Sequence, residues 1–173
     1  LSRGLGDVYK RQSKYRSAYI DMTYAKPIFK KINVVQNGAG KDGDFAVFGS
    51  SILLSRMEDM LLLRAEALAV LNRVDDAVEQ LNQLRVKRGL SQVSFKKNFG
   101  EDVNKLIDNI FAERRRELIG EGHRWYDLIR RQRILQDDPD FLVRMENGGI
   151  YWPVSEEVIR QNNLIRQNEY WNN

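Results

Sequence analysis

The chain has 173 residues, 42% of them hydrophobic and 30% charged, with three Trp, seven Tyr and seven Phe, a balance that suits a folded domain and excludes a disordered tail. It has no cysteine and a single histidine, His123, which excludes disulfides, thiolate metal sites and cysteine nucleophiles and leaves too few imidazoles for a histidine-based metal site or a triad. The net charge of +4 permits acidic partners without arguing for nucleic acid, and no apolar run of about 18 residues offers a membrane-spanning helix.

Residues 1–12, LSRGLGDVYKRQ, resemble a translated adapter end and are expected to be non-native or disordered, with the domain occupying residues 13–173. No secretion-signal pattern follows Leu1, which on a piece of a longer chain says nothing about compartment. Residues 14–48 favour extended structure. Tyr15, Ser17, Tyr19 and Asp21 alternate with Ala18, Ile20 and Met22 at a period of two, Pro27 interrupts, and residues 32–35 form another β-prone run closed by Asn37-Gly38. The apolar run 45–48 follows. These pieces predict short strands or arms rather than a complete sheet.

From Ser50 the pattern turns helical. Leu54, Met57, Leu61, Ala65 and Leu68 make one apolar stripe, and Leu53, Met60, Leu63, Ala67 and Leu71 a second, so the first helix is expected to be packed on two sides. Asn72-Arg73 marks a turn. A second helix starts near Asp75 and Asp76, buries Ala77, Val78, Leu81 and Leu84, and is closed by Gly89. The pair predicts an αα-hairpin like one tetratricopeptide unit, with Ala65, Ala67 and Ala77 allowing close approach. Residues 91–98 read as a loop.

A third helix over about 101–119 presents Val103, Leu106, Ile107, Ile110 and Phe111, and the same face runs on into Arg114, Glu117, Leu118 and Glu121. Gly120 and Gly122 break it. A fourth, about 123–133, presents Trp125, Leu128 and Ile129, and Asp137-Asp138-Pro139-Asp140 is expected to end it. Beyond lie a turn at Asn147-Gly148-Gly149, a short strand over 150–152, and a short helix capped by Ser155 with Glu156 and Glu157 in its first turn.

The densest charged cluster is residues 113–127. Glu113, Glu117 and Glu121 share a helix face, and a carboxylate pair could act as acid and base on a glycoside. The arginines between them would neutralise that pair. Arg114, Arg115, Arg116, Arg130, Arg131 and Arg133 could meet phosphates, but the flanking acids oppose it. The favoured reading is an ion network joining helices, with arginine forks bridging carboxylates and His123 a packing residue. No catalytic residue, metal ligand or cofactor is assigned. Trp125, Tyr126, Tyr151, Trp152, Tyr170 and Trp171 could supply a platform for sugar rings, or merely pack at the edge of the core.

Residues 56–67 (RMEDMLLLRAEA), 77–85 (AVEQLNQLR) with Arg88-Gly89-Leu90, 113–118 (ERRREL) with 120–130 (GEGHRWYDLIR), Tyr151-Trp152-Pro153-Val154 and Gln167-Asn168-Glu169-Tyr170 together resemble the SusD/RagB family of outer-membrane nutrient-binding lipoproteins. The resemblance covers about residue 14 onward. It implies the C-terminal part of a longer, mainly α protein, built of tetratricopeptide-like helical hairpins with short strands and loops. It also implies export, a lipid on an N-terminal cysteine, the outer face of the outer membrane, non-catalytic binding of glycans or other nutrients, and a TonB-dependent transporter as partner. No nucleic-acid partner is expected. The motifs fall at helix-packing positions, so no ligand-binding residue is carried over. The competing functions are a tetratricopeptide-like protein-interaction module and a glycosidase.

Overall fold

A computed structural model describes residues 20, 21, 23, 28, 29, 54–162 and 164–172. The expected foreign end at 1–12, the β-prone run 32–35, the Asn37-Gly38 turn, the apolar run 45–48 and Leu53 lie outside the described residues. What is described before residue 54 includes one two-residue antiparallel ladder, β1 (Ile20–Asp21) against β2 (Ile28–Phe29), with Ile20 opposite Phe29 and Asp21 opposite Ile28.

The rest is helical. α1 (Met57–Val70) and α2 (Val74–Lys87) form the expected hairpin, turned at Asn72 with φ +58°. α3 (Phe95–Phe99) is one short turn, α4 (Val103–Glu117) returns against α1, and α5 (Arg124–Leu135) packs on α4. α6 (Pro139–Glu146) leans on α5, and α7 (Glu156–Gln161) and a 3-10 turn (Glu169–Trp171) finish the described chain. The molecule is thus mainly α, as expected. One core joins α1, α2, α3 and α4, with Leu62, Leu81, Leu84, Leu106 and Ile110 fully buried. Each such aliphatic side chain contributes about 1.5–3 kcal/mol by leaving water. Ala65, Ala69 and Ala77 are also fully buried. Ala67, read as a close-approach position, faces outward.

Four expectations need correction. The two stripes of α1 are not both covered. Its buried face carries Leu62, Ala65, Leu68 and Ala69 together with Asp59 and Glu66, while Leu54, Met57, Met60 and Leu71 are exposed. A helix apolar on every side gives periodicity nothing to choose between, and two of its polar residues, Asp59 and Glu66, point inward. Residues 91–98 are not all loop, because Ser94 Oγ accepts from the Lys97 amide and caps α3, which Gly100 closes at φ +62°. Asp137-Asp138-Pro139-Asp140 does not simply end a helix. Asp138 caps α6, accepting from the Phe141 amide at 3.0 Å, and Pro139 sits where a helix tolerates a missing N–H. Residues 150–152 form no strand among the described residues.

Other ends behave as read. Gly89 (φ +68°) closes α2 while the Leu90 amide reaches back to the Arg85 carbonyl at 2.9 Å. Ser155 caps α7.

Candidate functional site

Two polar regions stand out. The first is the charged face that continues the apolar face of α4. Arg114 is 1% exposed. Its Nε donates to both carboxylate oxygens of Asp127 at 3.1 Å, and its Nη1 donates to the Asp59 carbonyl at 3.3 Å and lies 2.8 Å from Asp59 Oδ1. Asp127 in turn accepts from Arg130 at 2.9 Å, and Arg130 forks onto both oxygens of Glu66. Arg85 of α2 pairs with Glu113, itself 1% exposed, and donates from Nε to the Ser91 carbonyl.

A neighbouring cluster gathers at the start of α1. Arg56 stands at the N-cap position of α1, donating from Nη1 to Glu117 at 2.8 Å and from Nε and Nη2 to the two carboxylate oxygens of Glu121 at 3.0 Å. Arg88 meets Glu117 at 2.6 Å and Glu58 at 2.9 Å. Burial pulls the Glu117 carboxyl upward, but the hydrogen bonds and charges of Arg88 and Arg56 outweigh it and hold the group below the ordinary carboxylate range. Burial likewise opposes the Arg56 charge, and Glu121 and Glu117 overcome it and keep the guanidinium above its usual value. Arg130 is raised in the same way, burial being overcome by Glu66 and Asp127.

This arrangement decides between the readings of residues 113–127. Each of Glu113, Glu117 and Glu121 is held by arginine, so none is placed as a free acid or base. Arg114 and Arg130 are committed inward, Arg116 pairs with Glu113, and Arg131 pairs with Asp108 and Asp137, so four of the six arginines are engaged with carboxylates, while Arg115 and Arg133 are exposed. The network ties α1, α2, α4 and α5 together. His123 is half-buried at the start of α5, and its carbonyl accepts from the Asp127 amide at 3.0 Å. Among the described residues no group of His, Cys, Asp and Glu could hold a metal ion.

The second region is a cleft of about 1000 Å³ lined by Glu146, Asn147, Gly148, Trp152, Val154, Arg166, Gln167, Asn168, Glu169 and Tyr170. It brings together the two C-terminal motifs that sequence had left apart. Gln167 zips them, accepting from the Val154 amide at 3.1 Å and donating to the Val154 carbonyl at 2.8 Å. Asn168 donates to the Gly148 carbonyl and accepts from the Tyr170 amide, and Trp171 Nε1 donates to the Tyr151 carbonyl at 2.8 Å. Tyr170 lies so close over Gly149 that a Cβ there would stand 2.6 Å from its ring, and the Arg144 guanidinium lies over that ring, 5.9 Å from its centroid. Of the six aromatics singled out, Trp125 is half-buried between Phe141 and Trp152, at centroid distances of 6.1 and 5.9 Å. Tyr126 is exposed outside the cleft. Trp152 and Tyr170 line it.

Comparison with known proteins places these regions in context. A sequence model of the SusD family matches residues 3–141. The chain belongs to the SusD family. The matched span holds the whole ion network and ends before Glu146, the first residue of the cleft. Within the family, the chain is 36% identical over 131 residues to SusD-like protein P38 of Formosa agariphila, covering 69% of this chain and 24% of that one. It is 35% identical over 78 residues to SusD-like protein P25 of the same organism, covering 45% and 15% respectively. The crystal structure of a SusD superfamily protein from Bacteroides thetaiotaomicron superposes with a TM-score of 0.76 at 52% identity, covering 88% of this chain and 32% of that one. The chain therefore spans about a quarter of its longer-matching curated relative and about a third of the solved SusD structure. Among the described residues no helix is long and apolar enough to cross a membrane.

Proposed function

We propose that this chain is the helical C-terminal part of a cell-surface protein that binds nutrients, glycans foremost, without altering them chemically. In this reading residues 13–173 form its C-terminal domain, and a lipid on an upstream cysteine holds the protein on the outer face of the outer membrane. It passes its ligand to a TonB-dependent transporter. The observation that carries the reading is membership of the SusD family over residues 3–141. The geometry supports it, because the densest carboxylate cluster is neutralised by arginine and leaves a rigid scaffold rather than an acid and base pair.

The test is to tag the full-length protein in its own bacterium. The reading predicts recovery with the outer membrane, digestion by protease added to intact cells, co-purification of a β-barrel transporter, and retention by polysaccharide in affinity gels with no reducing ends released. Recovery from the cytosol with a peptide or protein partner would replace it with the tetratricopeptide-like interaction module. Release of reducing ends would replace it with a glycosidase.

A further inference from the structure

We propose that α5, α6 and the C-terminal segment to residue 172 form one cooperative unit, clipped to the α1–α4 core by arginine–carboxylate pairs, which swings away from that core as a piece about the Gly120–Gly122 turn. This conformational device is independent of what the protein binds.

α5 joins two neighbours by two different forces. Toward the core it presents charge. Asp127 accepts from Arg114 of α4 at 3.1 Å, Arg130 donates to Glu66 of α1 at 2.9 Å, and Arg131 donates to Asp108 of α4 at 2.8 Å. Among the described residues, the hydrogen bonds and ion pairs that run from residues 124–172 back to residues 54–119 are these arginine–carboxylate pairings. The Arg130 guanidinium also lies over the Phe111 ring at 5.4 Å, and Ile134 and Leu135 add apolar contact at the far end of the helix. The buried side chains of α5 are Asp127 and Gln132, both polar. Toward the C-terminus α5 presents rings instead. Trp125 packs on Phe141 of α6 at 6.1 Å and on Trp152 at 5.9 Å. The last segment is then bound to the end of α6 and to the stretch after it, through Asn168 on the Gly148 carbonyl at 3.1 Å and Trp171 on the Tyr151 carbonyl at 2.8 Å. Residues 124–172 are thus tied to one another by aromatic packing and backbone hydrogen bonds, and to the core by charge.

The two kinds of seam respond differently to opening. Parting α1, α2 and α4 would expose Leu62, Leu81, Leu84 and Leu106, all fully buried, to water. Parting α5 from α1 and α4 returns paired ions to water, where each recovers the hydration it gave up on docking. The charged seam is therefore the weaker plane, and proteins open first along such planes in contiguous units. The joint is also built. Gly120 and Gly122 hold φ of +79° and +81°, a backbone region that glycine enters at no steric cost. Glu121 between them is held by Arg56, which fixes the near side of the turn to the core. The pivot falls at Gly122 and His123, where α5 begins with no side-chain cap. A few small residues at an element's end are enough to absorb a hinge rotation.

The experiment is native-state hydrogen exchange on the full-length protein at low denaturant, read peptide by peptide in a mass spectrometer. The amides of α5 and α6 are expected to open together, at lower free energy and with weaker denaturant dependence than those of α2. Two variants separate the seams. Val78→Ala trims a buried side chain of α2, a helix that packs on α1, α3 and α4. It should speed exchange in α2 about tenfold and leave α5 and α6 unchanged, because the core stays closed while the unit opens. Arg130→Met takes the guanidinium from Glu66 and Asp127 and should speed exchange in α5 and α6 about tenfold or more. Asp108→Asn, at the more exposed end of the seam, gives the same pattern more weakly where Arg130→Met does not fold. If Val78→Ala speeds α5 and α6 as much as α2, the two parts are one cooperative body and the proposal is overturned. Opening of α5 without α6 overturns the unit. Unchanged exchange in α5 and α6 on cutting the arginine–carboxylate pairs overturns the ionic clip.

Discussion

The network around Arg114 and the cleft beside Trp152 are made from the same kinds of residue and treat them in opposite ways. In the network, arginine and carboxylate are buried and spent on one another, and Arg114 alone touches Asp59 and Asp127 on two different helices. In the cleft, Arg166, Glu146 and Glu169 stand in solvent, while the neutral amides Gln167 and Asn168 hold the frame. Charges removed from water are costly unless paired, so the first region is bound to the fold and intolerant of loss. Charges left in water are free to meet something else. The difference separates scaffold from surface.

Substitutions can break this contrast. A large effect is expected at Glu113, because Glu113→Ala takes the carboxylate from the buried guanidinium of Arg85 and leaves it the Ser91 carbonyl. It should cost about 3–5 kcal/mol in a denaturant titration while leaving affinity for ligand in the folded protein unchanged. Next comes Gly149→Ala, which drives a methyl into the Tyr170 ring and the Arg144 stem. Overpacking of this kind costs about 1–3 kcal/mol, and the loss is read from the same titration.

A smaller loss, about 1 kcal/mol, is expected from Asp138→Ala, which removes the cap of α6 and is read from the melting temperature. Acid sharpens the contrast further. Glu117 has a folded value below the ordinary 4.5, so its contribution is fully present above that range and is lost as pH falls through the lowered value. Glu117→Gln should therefore flatten part of the acid limb of the stability profile measured by urea unfolding from pH 7 to pH 3. The smallest effect is Trp152→Ala, whose exposed ring should change stability by no more than about 0.5 kcal/mol.

The network was legible in sequence because it lies on a continuous helix face. The spacing that put Leu106, Ile107, Ile110 and Phe111 together also carried Arg114, Glu117 and Leu118 inward, and all of these are buried. Local caps at Ser155 and Gly89 were legible for the same reason, being set by neighbours in the chain. α3 and α6 carried the same kind of signal, Ser94 and Asp138-Pro139, but their short apolar content reads as loop. The face of α1 was misread because Asp59 and Glu66, polar by any scale, turn inward to meet Arg114 and Arg130. Their partners lie more than fifty residues away, beyond the reach of periodicity. The cleft was hidden for a related reason. Gln167 and Asn168 tie to backbone at Val154 and Gly148, and nothing in a side chain's identity names the carbonyl it will find.

The most direct test of the scaffold claim is the urea-unfolding midpoint of Arg114→Ala. With Asp59 left buried without its guanidinium and Asp127 left to Arg130 alone, the protein should lose about 3–5 kcal/mol, a large part of the stability of an ordinary domain. A midpoint and slope equal to those of the parent would contradict the account, because the charged face of α4 would then contribute nothing to holding α1 and α5 in place.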